Sequence, residues 1–158
     1  MAMMDIVMKN NASIKCAFDI ALYDLNAKLV DMPLYAFLGG NNKKVIYTDN
    51  TVSLLPKEQM VEKAIKFKEM GFPVLKVKLG SNSGKDDVEL IQAIRNAIGN
   101  NLPLRTDANQ GWNYFNASYA LLGMEELNIE HCEEPVHAAN IRDQKRLTAE
   151  SPLSLIHI

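Results

Sequence analysis

The hydrophobic positions of this chain follow two periods, and the period changes along the sequence. Between residues 12 and 29, apolar residues recur at steps of three and four, which predicts one amphipathic helix. From residue 45 onward, short apolar runs alternate with helical patterns. Strands are predicted at 45–52, 74–79, 104–107 and 129–134, and helices at 57–70, 86–98, 114–127 and 140–150. This alternation predicts βαβ units and hence an α/β fold with a parallel sheet.

Polar residues end the predicted strands at a nearly constant spacing. The four strands end near Thr51, Lys78, Asp107 and Glu133. The intervals between these residues are 27, 29 and 26 residues, which indicates a repeated architecture. A (β/α) barrel of the TIM type carries its chemistry at the carboxyl ends of its strands. An open doubly wound sheet shares the alternation and stays as the alternative, although the sequence has neither a Gly-x-Gly-x-x-Gly nor a phosphate-loop motif.

Two lysines lie on one face of the second predicted strand. Because side chains alternate along a strand, Lys76 and Lys78 point the same way, and the apolar residues Leu75, Val77 and Leu79 point the other way. On a surface strand both ammonium groups would be solvated. Inside the mouth of a barrel, each would disfavour the charge of the other, which lowers the lysine pKa toward that of a useful base.

Two carboxylates, Asp107 and Glu133, are predicted to converge at the same edge of neighbouring strands. Converging carboxylates repel unless a cation lies between them, and Mg²⁺ takes such oxygen ligands. The alternatives are that Asp107 caps a turn and that Glu133 forms a solvated pair with Glu134. Asn109 could orient a ligand or cap the next helix. Arg105 shares the face of Asp107 and would suit an ion pair beside the metal ligands.

The composition excludes several classes of partner. The chain has 158 residues, 47% of them hydrophobic, with 17 basic and 19 acidic side chains. This near balance gives no reason to expect nucleic acid or a membrane surface as a partner. Cys16 and Cys132 are far apart and are interpreted as small interior residues, so a reducing cytoplasm is the expected location. His131 and Trp112 are interpreted as interior packing residues.

The motifs together resemble the enolase superfamily. They are Leu-Lys-Val-Lys at 75–78, Thr-Asp-Ala-Asn-Gln-Gly-Trp at 106–112 and Glu-Glu-Pro at 133–135. The resemblance is strongest to the muconate-lactonizing subgroup, which includes the dipeptide epimerases. It implies a partial barrel of about four to five βα units at 41–152. Residues 1–40 are similar to the end of that family's capping domain, including its last helix.

The resemblance also implies a mechanism and a set of residue roles. Lys78 would remove a proton α to a carboxylate, and Lys76 would hold down its pKa and help neutralise the substrate. Asp107 and Glu133 would be the first two Mg²⁺ ligands, with the metal stabilising an enediolate intermediate. Thr51 would lie on the substrate side. The implied parent is a homo-oligomeric epimerase acting on a small carboxylate, most simply a dipeptide, with muconate cycloisomerase and o-succinylbenzoate synthase as alternatives.

The sequence departs from the family pattern at its end. The third Mg²⁺ ligand is expected as an aspartate at position 158, where this chain has Ile158. Residues 153–158 resemble the translation of a common sequencing adaptor, so we expect a non-native tail there. A chain without the later strands is expected to be inactive and to aggregate or dimerise, because an open half barrel exposes strand edges. A Schiff-base aldolase using Lys78 and a non-catalytic interaction module are the remaining alternatives.

Overall fold

The computed structural model describes residues 2–158. The chain divides into two compact units, one ending at Ile46 and one beginning at Tyr47. This division lies six residues after the boundary expected between residues 40 and 41. The assignment of the first segment to a capping domain stays a prediction.

The first unit is helical. It contains α1 (Ala2–Val7), α2 (Ala12–Leu29) and α3 (Leu34–Phe37). Helix α2 has the bounds that the apolar period predicts. Near its start, the Lys15 ammonium donates a hydrogen bond to Asp5 over 2.9 Å, and Lys15 is almost fully buried. The apolar stripe of α2 is largely solvent-accessible, with Phe18 57% and Leu25 51% exposed.

In the second unit, five strands alternate with four helices. Its elements are β1 (Asn50–Val52), α4 (Lys57–Glu69), β2 (Leu75–Lys78), α5 (Gly84–Ile98), β3 (Leu104–Asp107), α6 (Tyr114–Gly123), β4 (Ile129–Glu133), α7 (Ile141–Glu150) and β5 (Leu155–Ile156). The strands form one sheet in the order β1-β2-β3-β4-β5, and every neighbouring pair is parallel. This architecture confirms the predicted α/β fold and its partial barrel.

The core of the second unit lies on the helix-facing side of the sheet. Leu75, Val77, Leu104 and Cys132 have no exposed surface there. They pack with the apolar faces of the helices, of which Ile91 on α5 is fully buried. Because side chains alternate along each strand, the intervening residues point to the opposite face. The fold thus separates an apolar face from a face that carries the charged residues.

Three predicted boundaries differ from the structure by two residues or more. The first strand begins at Asn50 instead of residue 45, because its pairing with β2 starts opposite Leu75. Helix α5 begins earlier than predicted, at Gly84, since the Ser83 hydroxyl accepts a hydrogen bond from the Asp86 amide and caps the helix. Helix α6 ends at Gly123 rather than near residue 127.

A buried arginine closes the amino edge of the sheet, where β3 and β4 begin. Arg95 at the end of α5 is 3% exposed. Its guanidinium donates to the backbone carbonyls of Leu127, Gly99, Leu102 and Asn128 over 2.7–3.1 Å. Burial lowers the pKa of Arg95. The guanidinium ties together the loops that lead into two adjacent strands.

The remaining sequence expectations concern the cysteines, the tail and the membrane. Cys132 is buried, as interpreted, but Cys16 is exposed on α2, so its interpretation as an interior residue is wrong. In the tail, Leu153 is buried and β5 pairs with β4. The interpretation of 153–158 as non-native concerns the gene and stays a prediction. Within residues 2–158, none of the helices combines the length and apolar character that crossing a bilayer requires.

Candidate active site

The strand register brings the predicted site residues into one row. Lys78 on β2 is opposite Asp107 on β3, which is opposite Glu133 on β4. All three lie at the carboxyl ends of their strands. Lys76 precedes Lys78 by two residues and shares its face. The convergence expected from the repeat spacing is therefore present in the structure.

The four side chains form one network of hydrogen bonds. The Lys78 Nζ donates to Asp107 Oδ2 over 2.7 Å and to Asn109 Oδ1 over 2.8 Å. The Lys76 Nζ lies 3.0 Å from Asp107 Oδ2 and 2.5 Å from Glu133 Oε2. The Asp107 side chain is only 4% exposed, and that of Lys78, the most open of the four, is 26% exposed. The charges therefore interact with each other more than with bulk water.

The electrostatic balance differs from the one expected for a lysine pair. Burial raises the pKa of Asp107, but hydrogen bonds from Lys78, Lys76 and the Asn109 amide outweigh it and lower the value to about 2. Burial lowers the pKa of Lys76, but its hydrogen bonds to Glu133 and Asp107 outweigh that effect and raise the pKa. The expectation of a lowered pKa is therefore wrong for Lys76, because the two carboxylates bond its ammonium directly.

The loop after β3 holds Asn109 toward Lys78. Asn109 and Gln110 both have positive φ angles, of 44° and 63°. Non-glycine residues in this region are strained, and such residues cluster at functional sites. The Asn109 backbone amide donates to Asp107 Oδ1 over 2.9 Å. Asp107 therefore also caps this turn, which was the alternative interpretation of that residue. Asn113, not Asn109, caps α6.

The same loop is tied to the loop after β4. The Gln110 amide donates to the Glu134 carbonyl over 2.7 Å, and the Gln110 side-chain amide donates to Glu134 Oε1 over 2.8 Å. Gln110 Oε1 in turn accepts from the Ala138 amide over 2.9 Å. Glu134 therefore points to this loop instead of forming a solvated pair with Glu133.

Arg105 makes its ion pairs away from the row. Its guanidinium bonds Glu130 Oε2 over 2.8 Å and Asp49 Oδ2 over 3.2 Å. The ion pair expected beside the metal ligands thus forms with other partners, because Arg105 lies two residues before the carboxyl end of β3. Thr51 is in register with Lys76 and is half-buried. Its place on the substrate side stays a prediction.

Trp112 and His131, both interpreted as packing residues, differ in burial. Trp112 is 4% exposed. Its indole Nε1 donates to Asp87 Oδ2 over 2.8 Å. His131 is half-buried, with its Nε2 3.7 Å from Glu133 Oε1.

Sequence reasoning missed Asp87 on α5. Its side chain has no exposed surface, and it accepts from the Gly80 amide over 3.0 Å as well as from Trp112. Burial raises the pKa of Asp87, and these two hydrogen bonds partly offset the effect. A signal was present: position 87 falls on the apolar stripe of α5, four residues before Ile91 and seven before Ile94. An acid on such a stripe must find buried partners.

The carboxylates fit a magnesium ion in part. Asp107 Oδ2 and Glu133 Oε2 both bond one Lys76 Nζ, so the two oxygens converge on a single cation. Carboxylate oxygens are the ligands that Mg²⁺ prefers. Across residues 2–158, however, the structure brings together no set of three or more histidine, cysteine, aspartate or glutamate side chains suited to a metal. The row thus offers two donors of the right chemistry.

Comparison with known proteins gives consistent relatives. The chain is 49% identical over 134 residues to a D-Ala-D/L-Ala epimerase of Cytophaga hutchinsonii. That match covers 85% of this chain and 36% of the Cytophaga protein. It is 39% identical over 144 residues to an L-Ala-D/L-Glu epimerase of Bacillus subtilis. That match covers 90% of this chain and 39% of the Bacillus protein.

Among solved structures, the dipeptide epimerase of Cytophaga hutchinsonii in complex with Mg and D-Ala-L-Val superposes with a TM-score of 0.88. Its sequence identity is 43%, and the match covers 98% of this chain and 42% of that one. The chain thus spans about two fifths of the length of these relatives. The family model described as enolase C-terminal domain-like matches residues 59–156, which is more than half of the chain. This protein belongs to the enolase C-terminal domain-like family.

Proposed function

We propose that this chain carries the proton-abstracting half of a magnesium-dependent dipeptide epimerase, with Lys78 as the base. The observation that carries the proposal is the row itself. A lysine, an aspartate and a glutamate occupy equivalent ends of three adjacent strands, and their side chains share one hydrogen-bond network. The relatives that the chain matches over most of its length include epimerases of dipeptides.

The proposed step is a proton transfer to Lys78. The neutral Nζ accepts the proton on the carbon α to the substrate carboxylate, the C–H bond breaks, and its electron pair moves into the carboxylate to give an enediolate. Epimerisation also requires a second acid that returns a proton to the opposite face of that carbon, and in the hybrid described below the relative's part of the enzyme would supply it. Asp107 and Asn109 hold the Nζ in place by accepting its hydrogen bonds over 2.7 and 2.8 Å.

Asp107 and Glu133 are the residues that would hold Mg²⁺. When bound, the ion supplies positive charge where negative charge develops on the substrate carboxylate. Lys76 would contribute a second positive charge from the same face of the sheet, beside the two carboxylates that it bonds in this structure. Thr51, in register with Lys76, is proposed to face the substrate.

The proposal is tested in a hybrid protein. Residues of this chain replace the matching segment of the Cytophaga hutchinsonii epimerase, so that the rest of the enzyme is supplied by the relative. We expect the hybrid with Mg²⁺ to exchange the α-proton of a dipeptide in deuterated water, measured by NMR. Lys78→Ala should lower that exchange about a thousandfold or more, because general-base catalysis contributes roughly 10²–10⁴-fold and the substrate loses a positioned partner as well.

The matched control is Lys85→Ala, which removes an exposed lysine on α5. It should leave exchange unchanged. Magnesium binding, measured by calorimetry, should survive Lys78→Ala and weaken strongly in Asp107→Asn. A folded hybrid whose Lys78→Ala variant exchanges the proton at the original rate would rule out Lys78 as the base. Equal loss of exchange and of magnesium binding in that variant would make Lys78 structural.

A further inference from the structure

Asp87 occupies an unusual place beneath the row of charged residues. Its carboxylate is fully buried in the first turns of α5. One oxygen, Oδ2, accepts both the Gly80 amide and the Trp112 indole, over 3.0 and 2.8 Å. The other oxygen, Oδ1, is buried and has no hydrogen-bond partner among the described residues. Both hydrogen bonds of the Asp87 side chain are therefore accepted by one atom, Oδ2. That atom joins the loop after β2 to the loop after β3.

The two loops that Asp87 joins are already in close contact through their backbones. A Cβ added at Gly80 would lie 2.2 Å from the Ala108 carbonyl oxygen, and a Cβ added at Gly111 would lie 2.2 Å from the Gly80 carbonyl oxygen. Gly80 also has a φ of 88°, a conformation that favours glycine. Neither glycine position has room for a side chain, so the two backbones are in direct contact there.

The joined loops carry the groups that hold the Lys78 ammonium. Gly80 follows Lys78 by two residues, and the Leu79 amide between them donates to the Asp107 carbonyl over 2.8 Å. On the other loop, Asn109 supplies the second acceptor for the Lys78 Nζ from a backbone with positive φ. A strained loop keeps its conformation only when surrounding contacts determine it. The Asp87–Trp112 hydrogen bond is such a contact.

We propose that Asp87 is a positioning residue for Lys78: its Oδ2 ties the two loops together and thereby keeps the Lys78 ammonium against Asp107 and Asn109. The functional meaning of this inference rests on the proposed role of Lys78 as the base. The positioning itself concerns a contact of this chain and needs neither substrate nor metal to be measured. Asp87 touches no substrate-facing group, so it acts through the loops.

The test measures how fast Lys78 is acetylated in the 158-residue chain. Limiting N-hydroxysuccinimide acetate is added at fixed pH, and mass spectrometry gives the rate at Lys78 relative to exposed Lys85. Asp87→Ala should raise that ratio about fivefold, because the neutral amine of Lys78 attacks the reagent and its Nζ is more accessible once its two hydrogen bonds of modest strength no longer hold it. Asp87→Asn removes the same charge but keeps an accepting oxygen, so it should leave the ratio near that of the original chain.

A further variant and a control complete the design. Trp112→Phe removes one donor to Asp87 and should raise the ratio by less than Asp87→Ala does; it also gives a readout if Asp87→Ala does not fold. Asp86→Ala is the control, because Asp86 is exposed and its carboxylate bonds Ser83. Folding of each variant is checked by circular dichroism.

Three results would overturn the inference. They are an unchanged ratio in folded Asp87→Ala, an equal rise in Asp87→Asn, which would assign the effect to charge, and an equal rise in Asp86→Ala. Unchanged proton exchange in the Lys78→Ala hybrid would instead overturn the proposed base. That result leaves the acetylation ratios as they are, so the two failures are distinguishable.

Discussion

The two edges of the parallel sheet differ in the groups that accept hydrogen bonds from their cationic side chains. At the carboxyl edge, side chains accept the hydrogen bonds of the Lys76 and Lys78 ammonium groups. Two of these acceptors are carboxylates, and the third, Asn109, has a backbone with positive φ. At the amino edge, the Arg95 guanidinium is bonded by four backbone carbonyls. Side-chain partners can be exchanged for a ligand, whereas backbone partners are part of the fold. The amino edge thus contributes to stability, and the proposed chemistry lies at the carboxyl edge, as expected for a barrel of this class.

The largest effect should come from removing the guanidinium at the amino edge. Arg95→Leu leaves four backbone carbonyls without their donor, one of them in a buried hydrogen bond and three in part-buried ones. We expect a loss of about 4 kcal/mol in the free energy of unfolding, because each unsatisfied buried group costs roughly 1–3 kcal/mol and the part-buried carbonyls can turn toward water. Urea unfolding followed by circular dichroism measures it. Arg142→Leu, at an exposed arginine of α7, is the control and should change stability by less than about 0.5 kcal/mol. Equal effects of the two variants would remove the contrast between the edges.

Two glycines sharpen the contrast, because both have positive φ but only one is crowded. Gly80 at the carboxyl edge has φ 88° and lies against the Ala108 carbonyl, while Gly99 at the amino edge has φ 78° and open space around it. Gly80→Ala should cost about 3 kcal/mol, from the conformation and the clash together, and Gly99→Ala about 1 kcal/mol, from the conformation. Thermal unfolding of both variants gives the comparison. A larger loss for Gly99→Ala would mean that the close approach of the two loops has little energetic weight.

The pH dependence contributed by Asp107 is a smaller effect than those of Arg95→Leu and Gly80→Ala. Its pKa is lowered to about 2 from 3.8, so its ionised form is stabilised by folding. The contribution, about 2 kcal/mol, is complete above pH 4 and is lost as the pH falls through 2. We expect Asp107→Asn to flatten the stability profile over that range in urea titrations. At the other end, the raised pKa of Lys76 adds stability below pH 10.5 that is lost as the pH rises through its folded value. An unchanged acid limb in Asp107→Asn would assign this stability to other carboxyl groups.

The sequence was a good guide wherever a period or a repeat determines the structure. The bounds of α2 and β3 follow from apolar spacing, and the convergence of Lys78, Asp107 and Glu133 follows from strand ends that recur once per βα unit. The failures have physical causes. Residues 45–49 read as strand but lie before the point where β1 meets a partner, and pairing is a property of two strands.

Contacts between side chains were harder to predict than positions. The partners of Lys76 and Arg105 depend on rotamers and on which acid is nearest across the sheet, and neither appears in a linear pattern. Asp87 and Arg95 are different, because both fall on the apolar stripe of α5 that Ile91 and Ile98 define. A charged residue on a buried stripe is visible in the sequence, and it marks a place where polar partners must be supplied by other elements.

The balance of charge in the row has a consequence for the order in which molecules arrive. Two ammonium groups and two carboxylates cancel, so a dissolved anion at a distance experiences little net field from them. Under the proposed chemistry, a divalent cation that binds first would make the net charge of the row positive. That charge would then attract the carboxylate of the substrate. Association would then be sequential, cation before substrate, and the second encounter would slow as ionic strength increases.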